Sequence, residues 1–597
     1  MTEIGYVFLL LSVVFAAYSV VGSGFGKYLG IPELVKSARR AVYFTFVALL
    51  ISTGILVAAF VLHDFSFRYV AGHSSNAMAP WLTWVAFYAG NEGSLLFIAT
   101  VFNGLVVIAI TRCAREAQEA LPYTTAVLMA VVLFFVLVMA LLANPFAELE
   151  IVPLDGQGIN PLLTHPGMFF HPPMLMTGLI AVAIPFAFGI GYLLSGQTQD
   201  EWVEAARNWG LVVWTILTIG LLLGSWWAYT ILGWGGYWAW DPVENAGLLP
   251  WLPLTAFIHS IIVQRRRGIF RMWNLALIIT AWTLAMYGMF MNRGGSIPSV
   301  HSFAQSTLGW VFLGFLAMNL LASVIIFFLR SRDFRKPSSF ESVLSREAAF
   351  LANNALFLLI ALVVLWGVVF PLISEVFRGV TVTVGKPFYD VMAGPLFLSL
   401  ILLMGIAPLL PWRKATPKYV LRGLIFPILV AGNVGFMCLL LGLRDLLPII
   451  SFSLSSFVAA GILREWVKGV ISLRSRGVNI FVAFPKLIFS NRPRYGGYIA
   501  HIGIIVLALS VTGSSFYSIQ KDIPLAVGER STVEHYEIEY VSHQTEVKID
   551  RIEQRARLNI YANAEQIDTL YPGYAFYPAH AMAATRAGIR STVVEDL

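Results

Sequence analysis

Four histidines stand where an imidazole nitrogen has chemical use. His171, in MFFHPPML, comes just before an apolar run, and Pro172 and Pro173 fit a first helical turn, where a missing N–H costs nothing. His301, in PSVHSFA, precedes another such run. His259, in PWLPLTAFIHSII, and His501, in GGYIAHIGIIV, lie within apolar runs, where an ionisable side chain is a functional hypothesis by default. Imidazole is a common axial ligand of haem iron, and paired histidines suit that role. Each could instead bond a carbonyl or hydroxyl of a neighbouring helix, or simply face water.

Between these histidines runs WWAYTILGWGGYWAWDPVENAGLLPW, residues 226–251. Tryptophans gather at membrane interfaces, but an interfacial belt is scattered over many helix ends. Here Trp234, Trp238 and Trp240 crowd around Gly235 and Gly236, whose missing side chains let something flat approach the backbone. A planar apolar ligand with a polar centre and polar edge fits, and a porphyrin is such a ligand. Asp241 and Glu244 invite an acid–base reading. D-P-V-E is also a capping box, with a cap residue, proline at the first helical position and glutamate three after the cap, opening the next helix.

The elements that hold these residues follow from composition. The chain has 597 residues, 58% hydrophobic and 12% charged, against roughly a quarter charged in soluble domains; mean hydropathy is +0.75. Apolar runs of about 20 residues recur almost end to end, each enough to cross a hydrocarbon core of about 30 Å. The pattern predicts an all-α polytopic membrane protein with fourteen spans, centred near residues 13, 51, 103, 133, 184, 219, 256, 282, 318, 360, 401, 433, 455 and 506. The first run follows Glu3 with no basic residue and no small-residue cleavage site, so it is expected to be retained.

Alternate loops differ sharply in charge. One side holds 27 of the 40 Lys and Arg, including Arg265, Arg266 and Arg267, while the opposite loops hold Arg68, Arg293, Arg378, Lys386 and Arg444. The basic side is cytoplasmic, which puts both termini outside, as an even number of spans requires. The long loops 63–91, 144–173, 230–244 and 292–305 then lie outside, and His171, His301 and the tryptophan segment share one level. His259 and His501 stand six and seven residues from the inner boundary at Arg265 and Arg494. At 1.5 Å per residue both lie roughly 9–10 Å deep, the equal depth that bis-histidine ligation requires.

The stretch 464–496, with REWVKGVISLRSRG, predicts a helix lying on the inner leaflet. Residues 519–597 are polar and alternate in HYEIEYV (535–541) and RLNIYAN (557–563), predicting a small β-rich outer domain after a helical domain of residues 1–518. Net charge is +7, but the cations lie in short loops at membrane ends, which excludes a nucleic-acid face. Cys113 and Cys438 form no C-x-x-C or C-x-x-C-H motif, so neither a disulfide framework nor covalently attached haem is expected.

WGGYWAWDPVENAGLLPWL resembles the WWD signature of haem-handling proteins of cytochrome c biogenesis, and the chain as a whole resembles the CcmF-type subunits of the bacterial cytochrome c haem lyase. The resemblance covers residues 1–597, including NEGSLL at 91–96; the family continues beyond this point through more outer domain to a further span. It implies an outer haem site of Trp234, Gly235, Gly236, Trp238, Trp240 and Asp241, with His171 and His301 as iron ligands. His165, His63 and His73 are competitors of His171 that spacing alone does not exclude. FHPP, WLPLTAFIHS and AHIG resemble the family's histidine motifs, which implies a transmembrane haem b on His259 and His501. Haem b would also be the substrate, brought by a CcmE-type chaperone and joined to the C-x-x-C-H cysteines of apocytochrome c presented by CcmH/CcmI-type partners. The inner haem would serve as reductant, with quinol as its possible source of electrons. No residue resembles a nucleophile, and no catalytic residue is assigned. A CcmC-type delivery protein is much shorter, and a CcsBA-type synthase places its signature near the C-terminal end. A proton-coupled transporter using intramembrane histidines and a structural scaffold are the readings from other classes.

Overall fold

The computed structural model describes residues 1–113, 117–197, 200–232, 235–294, 299, 306–330 and 341–597. Among them are fourteen helices long and apolar enough to cross a membrane, from Thr2–Tyr28 to Arg492–Phe516, one over each expected centre. The chain is an all-α polytopic membrane protein with an antiparallel sheet at its C-terminal end.

The first helix shows why lipid is its solvent. Gly5, Ser12, Ala16, Ser19, Gly22 and Ser23 are buried, while Val7, Val14, Val21 and Phe25 are exposed. Small residues let helix backbones approach, and large apolar ones meet lipid at no cost. In water this arrangement would be inside out.

Two compact units make up the chain: Met1–Arg335, Val368–Thr383 and Asp522–Leu597 in one, Lys336–Gly367 and Val384–Lys521 in the other. The second unit has its own apolar core of Ile401, Phe457, Val458, Ile462, Tyr495, Tyr498 and neighbours. In it REWVKGVISLR is not the separate surface helix expected. It continues the spanning helix Leu446–Arg474, because nothing between Gly461 and Arg474 breaks the helix, and the basic turns extend the rod past the hydrocarbon. The distinct short helix here is Ile480–Ser490.

The sheet consists of β1 (Arg530–Val533), β2 (Tyr536–Val547), β3 (Ile552–Ala562), β4 (Glu565–Leu570), β5 (Gly573–Tyr577) and β6 (Met582–Arg586). Its order is β1-β2-β3-β5-β6, with β4 also on β3. The two alternating segments become β2 and β3, paired antiparallel from Tyr536 opposite Ala562, with an irregularity between Tyr540 and Ser542. Tyr229 donates to Asp596 at 2.9 Å, and Leu162 packs on Ala575, Tyr577 and Ala584, tying the sheet to the helix Val203–Ile231 and the turn Pro161–Leu163 of its unit.

Glu553 on β3 is 1% exposed and meets Lys548 at 3.0 Å, Arg555 at 2.7 Å, Arg586 at 3.5 Å, and Arg551. Burial alone would raise its carboxyl, but hydrogen bonds from Arg551 and Lys548 with the charge of Arg586 outweigh it and hold the pKa at about 2. The folded pKa is depressed, so the stabilisation is present above the ordinary value of 4.5 and is lost as pH falls toward 2. Glu553→Gln is expected to destabilise the sheet by about 1–3 kcal/mol at neutral pH, since the cations left behind are partly exposed. Hydrogen exchange along β3 measures this; unchanged protection would show the cluster to be energetically idle.

Candidate functional site

His171 opens the helix His171–Ala181, which packs on the helix Val203–Ile231 at glycine contacts. A Cβ at Gly178 would fall 2.8 Å from Leu217 Cα, and one at Gly220 would fall 2.7 Å from the Leu175 backbone nitrogen. Only glycine permits this approach, which brings the Gly220 carbonyl within 2.8 Å of His171 Nδ1. With Nδ1–H donating to that carbonyl, Nε2 carries the lone pair, the arrangement usual for a metal-ligating imidazole. A Cβ at Gly224 would sit 2.5 Å from His171 Cε1, and Trp227 lies parallel to the ring, its centroid 6.4 Å away.

The tryptophan segment is shaped by the helix that follows it, Pro242–Arg267. Asp241 and Glu244 form the expected capping box: Asp241 Oδ2 accepts from the Val243 N–H at 2.9 Å, and Glu244 Oε2 accepts from the N–H groups of Asp241 and Ala239. Asn245 donates to the Trp240 carbonyl at 2.8 Å, and Ser299 donates to Asp241. These bonds hold Trp240 at φ +60°, a left-handed conformation strained for a bulky residue. Its ring meets Trp238 edge-on at 6.1 Å. Gly235 is left-handed at φ +68°, and among the described residues a Cβ at Gly235 or Gly236 would meet nothing within 4 Å.

His171, Trp227, Trp238, Glu244, Asn292 and Arg293 line one cleft of about 130 Å³. His171 and Trp238 are thus brought together, as their shared membrane level led one to expect. Trp234 and His301 lie outside the described residues. Arg293 and Trp227 entered the sequence reading only as a topology marker and as part of the aromatic segment. The signal for Arg293 was its rarity, one of five cations in the loops opposite the basic side.

The competitors of His171 are engaged elsewhere. His165 Nδ1 accepts from the Gly167 N–H at 2.9 Å while Nε2 lies 3.1 Å from Thr230 Oγ1, so both nitrogens serve the turn, and burial pushes its pKa down. His73 donates to the Tyr69 carbonyl and faces a separate cavity of about 790 Å³ with His580, Glu92 and Arg68. His63 ends the helix Pro32–Val61 in a left-handed turn.

Within the helix Pro242–Arg267, His259 Nδ1 lies 2.8 Å from the Thr255 carbonyl one turn back. That bond places the proton on Nδ1 and the lone pair on Nε2, as ligation requires. His501 stands on Arg492–Phe516 in the other unit, half-buried above Arg494, which pairs with Glu465.

Fourteen apolar helices and, in one unit, a cleft of histidine and tryptophan make this a polytopic membrane protein, and the family comparison gives its class, cytochrome c assembly. The family model described as Cytochrome C assembly protein matches residues 88–298, and the one described as CcmF C-terminal beta-sandwich matches residues 516–597. Cytochrome c-type biogenesis protein CcmF of Pseudomonas aeruginosa is 33% identical, over 100% of this chain and 90% of its own length. The CcmF of Escherichia coli is 30% identical, over 100% and 91%. The solved Cytochrome c Heme Lyase CcmF superposes with a TM-score of 0.82 at 28% identity, covering 99% of this chain and 90% of that one. The chain belongs to the CcmF family.

Proposed function

We propose that this chain is a haem lyase of cytochrome c maturation, which receives haem at the outer cleft and promotes its attachment to apocytochrome c. The observation that carries this reading is His171, its Nδ1 held by the Gly220 carbonyl, in the cleft that Trp238 also lines. At about 130 Å³ the cleft is smaller than the roughly 300–1,000 Å³ of pockets that engulf a ligand. The porphyrin therefore rests across its mouth, one edge inside, against Trp238 and Trp240 and beside Gly235 and Gly236. On the sequence reading Trp234 and Asp241 would complete the platform, and His301 would be the second iron ligand.

In the reaction a cysteine thiol adds across each vinyl group: one S–C bond forms, the thiol hydrogen goes to the other vinyl carbon, and no oxidant is consumed. The protein contributes positioning, since a held substrate converts a bimolecular addition into an effectively unimolecular one. A haem b for which His259 and His501 are the candidate ligands on the sequence reading would supply one electron to keep the substrate reduced. His259 is prepared for this by its bond to Thr255. Haem arrives on a CcmE-type chaperone, apocytochrome on CcmH/CcmI-type partners, and quinol is the reductant class that suits a site inside lipid. The charge asymmetry of the loops supports the bacterial inner membrane with both termini periplasmic.

The test is complementation. Expressed in a bacterium deleted for its own family member, the chain is expected to restore haem-stained c-type cytochromes. Correct membrane insertion with no haem-stained product would overturn the reading.

A further inference from the structure

We propose that Arg293 is the anion-binding group of the outer cleft and takes a propionate carboxylate of the haem substrate; this rests on the haem-handling reading above. Arg293 ends the helix Arg271–Gly294 and is 2% exposed. Its Nη1 donates to Asn91 Oδ1 at 2.9 Å, while Nε and Nη2 are buried without a hydrogen-bond partner among the described residues. Among the described residues no carboxylate lies within ion-pairing distance of it; Glu92 acts on it only at longer range. The acid that shares the cleft, Glu244, is committed to the backbone N–H groups of Ala239 and Asp241.

A buried guanidinium costs several kcal/mol unless it is paired, and two orphaned donors on one fork add to that cost. A carboxylate satisfies both at once, because the fork matches its two oxygens in a bidentate pair. Arg293 lines the same cleft as His171 and Trp238, so the anion it takes belongs to a ligand lying on those residues. The propionates of protoporphyrin leave one edge of the ring and the vinyl groups lie toward the other. Drawing the acidic edge inward to Arg293 therefore turns the vinyl edge outward, where incoming thiols can reach it. Arg293 is a positioning residue in this scheme: it sets which edge of the substrate faces the apocytochrome.

The test uses the full chain in lipid nanodiscs, carrying whatever haem it holds on purification, titrated with ferric haem and with haem dimethyl ester. The unaltered protein is expected to bind haem more tightly than the ester. Arg293→Gln is expected to weaken haem binding by roughly 10–100-fold, the worth of hydrogen bonds to a charged group, and to leave the ester's affinity unchanged. Arg293→Lys should recover part of the loss. Equal weakening for haem and ester would assign Arg293 a structural role and overturn the proposal, as would undiminished haem binding in Arg293→Gln. Should Arg293→Gln fail to fold, equal affinity of the unaltered protein for haem and ester overturns it independently. If the unaltered protein binds neither, the haem-handling reading falls, and the proposal with it.

Discussion

His171→Ala is expected to abolish holocytochrome formation, lowering it by on the order of 100-fold or more, while the membrane fold persists. The size follows from what the ring does. Its Nδ1 is held by the Gly220 carbonyl at 2.8 Å, its face lies parallel to Trp227, and its Cε1 fills the space that Gly224 leaves. A ligand oriented by a fixed partner loses both the metal bond and its direction on truncation, and even removal of the orienting partner typically costs 10–100-fold. The fold tolerates the change because the ring sits at the start of its helix, and the close helix contacts, Gly178 against Leu217 and Gly220 against Leu175, do not involve it. The measurement is haem staining of a reporter c-type cytochrome, beside the absorption spectrum of the purified variant. Maturation at the unaltered level would remove His171 from the site. His165→Ala is the control: both its nitrogens serve the Gly167 turn and Thr230, so it should loosen that turn without abolishing attachment.

His259→Ala and His501→Ala are each expected to eliminate the reduced-minus-oxidised band of a b-type haem in the purified protein. Six-coordinate bis-histidine iron needs both imidazoles, so the two single variants should have the same spectrum rather than graded losses. A histidine that merely bonded Thr255 would behave differently, because replacing it would alter the local helix and leave the spectrum alone. A band retained in either variant removes that residue as a ligand. No band in the unaltered protein from haem-replete cells would favour the transporter reading, in which the same intramembrane histidines carry protons. The His171 and His259 experiments are independent, since the outer variant should keep the inner band.

Much of this molecule was legible from its sequence because membrane physics is one-dimensional. Each span needs about 20 apolar residues, so the fourteen helices could be counted along the chain, and the loop cations predict a direction for them. The capping box at Asp241 was equally readable, because it depends on residues three apart in one chain segment. The same holds for β2 and β3, whose alternation shows in the sequence, though Tyr536–Val547 and Ile552–Ala562 are set by pairing beyond it. Local pattern failed at REWVKGVISLR, where amphipathic charge suggested a surface helix and the backbone simply continued.

What spacing left open was which histidine enters the cleft and what else lies there. His165 and His171 are six residues apart at one membrane level, and only the packing of two helices through Gly178, Gly220 and Gly224 shows that one ring is consumed by its own turn while the other faces Trp238. Arg293 read as a topology marker until its neighbours were known, because an orphaned donor is a statement about the space around a side chain. Sequence alone determined the lipid-spanning architecture and the capped tryptophan segment, since these follow from hydrophobic length and local hydrogen bonding. The tertiary structure decided which side chains share a cleft and which buried guanidinium keeps two donors unpaired among the described residues, since these depend on contacts between residues far apart in the chain.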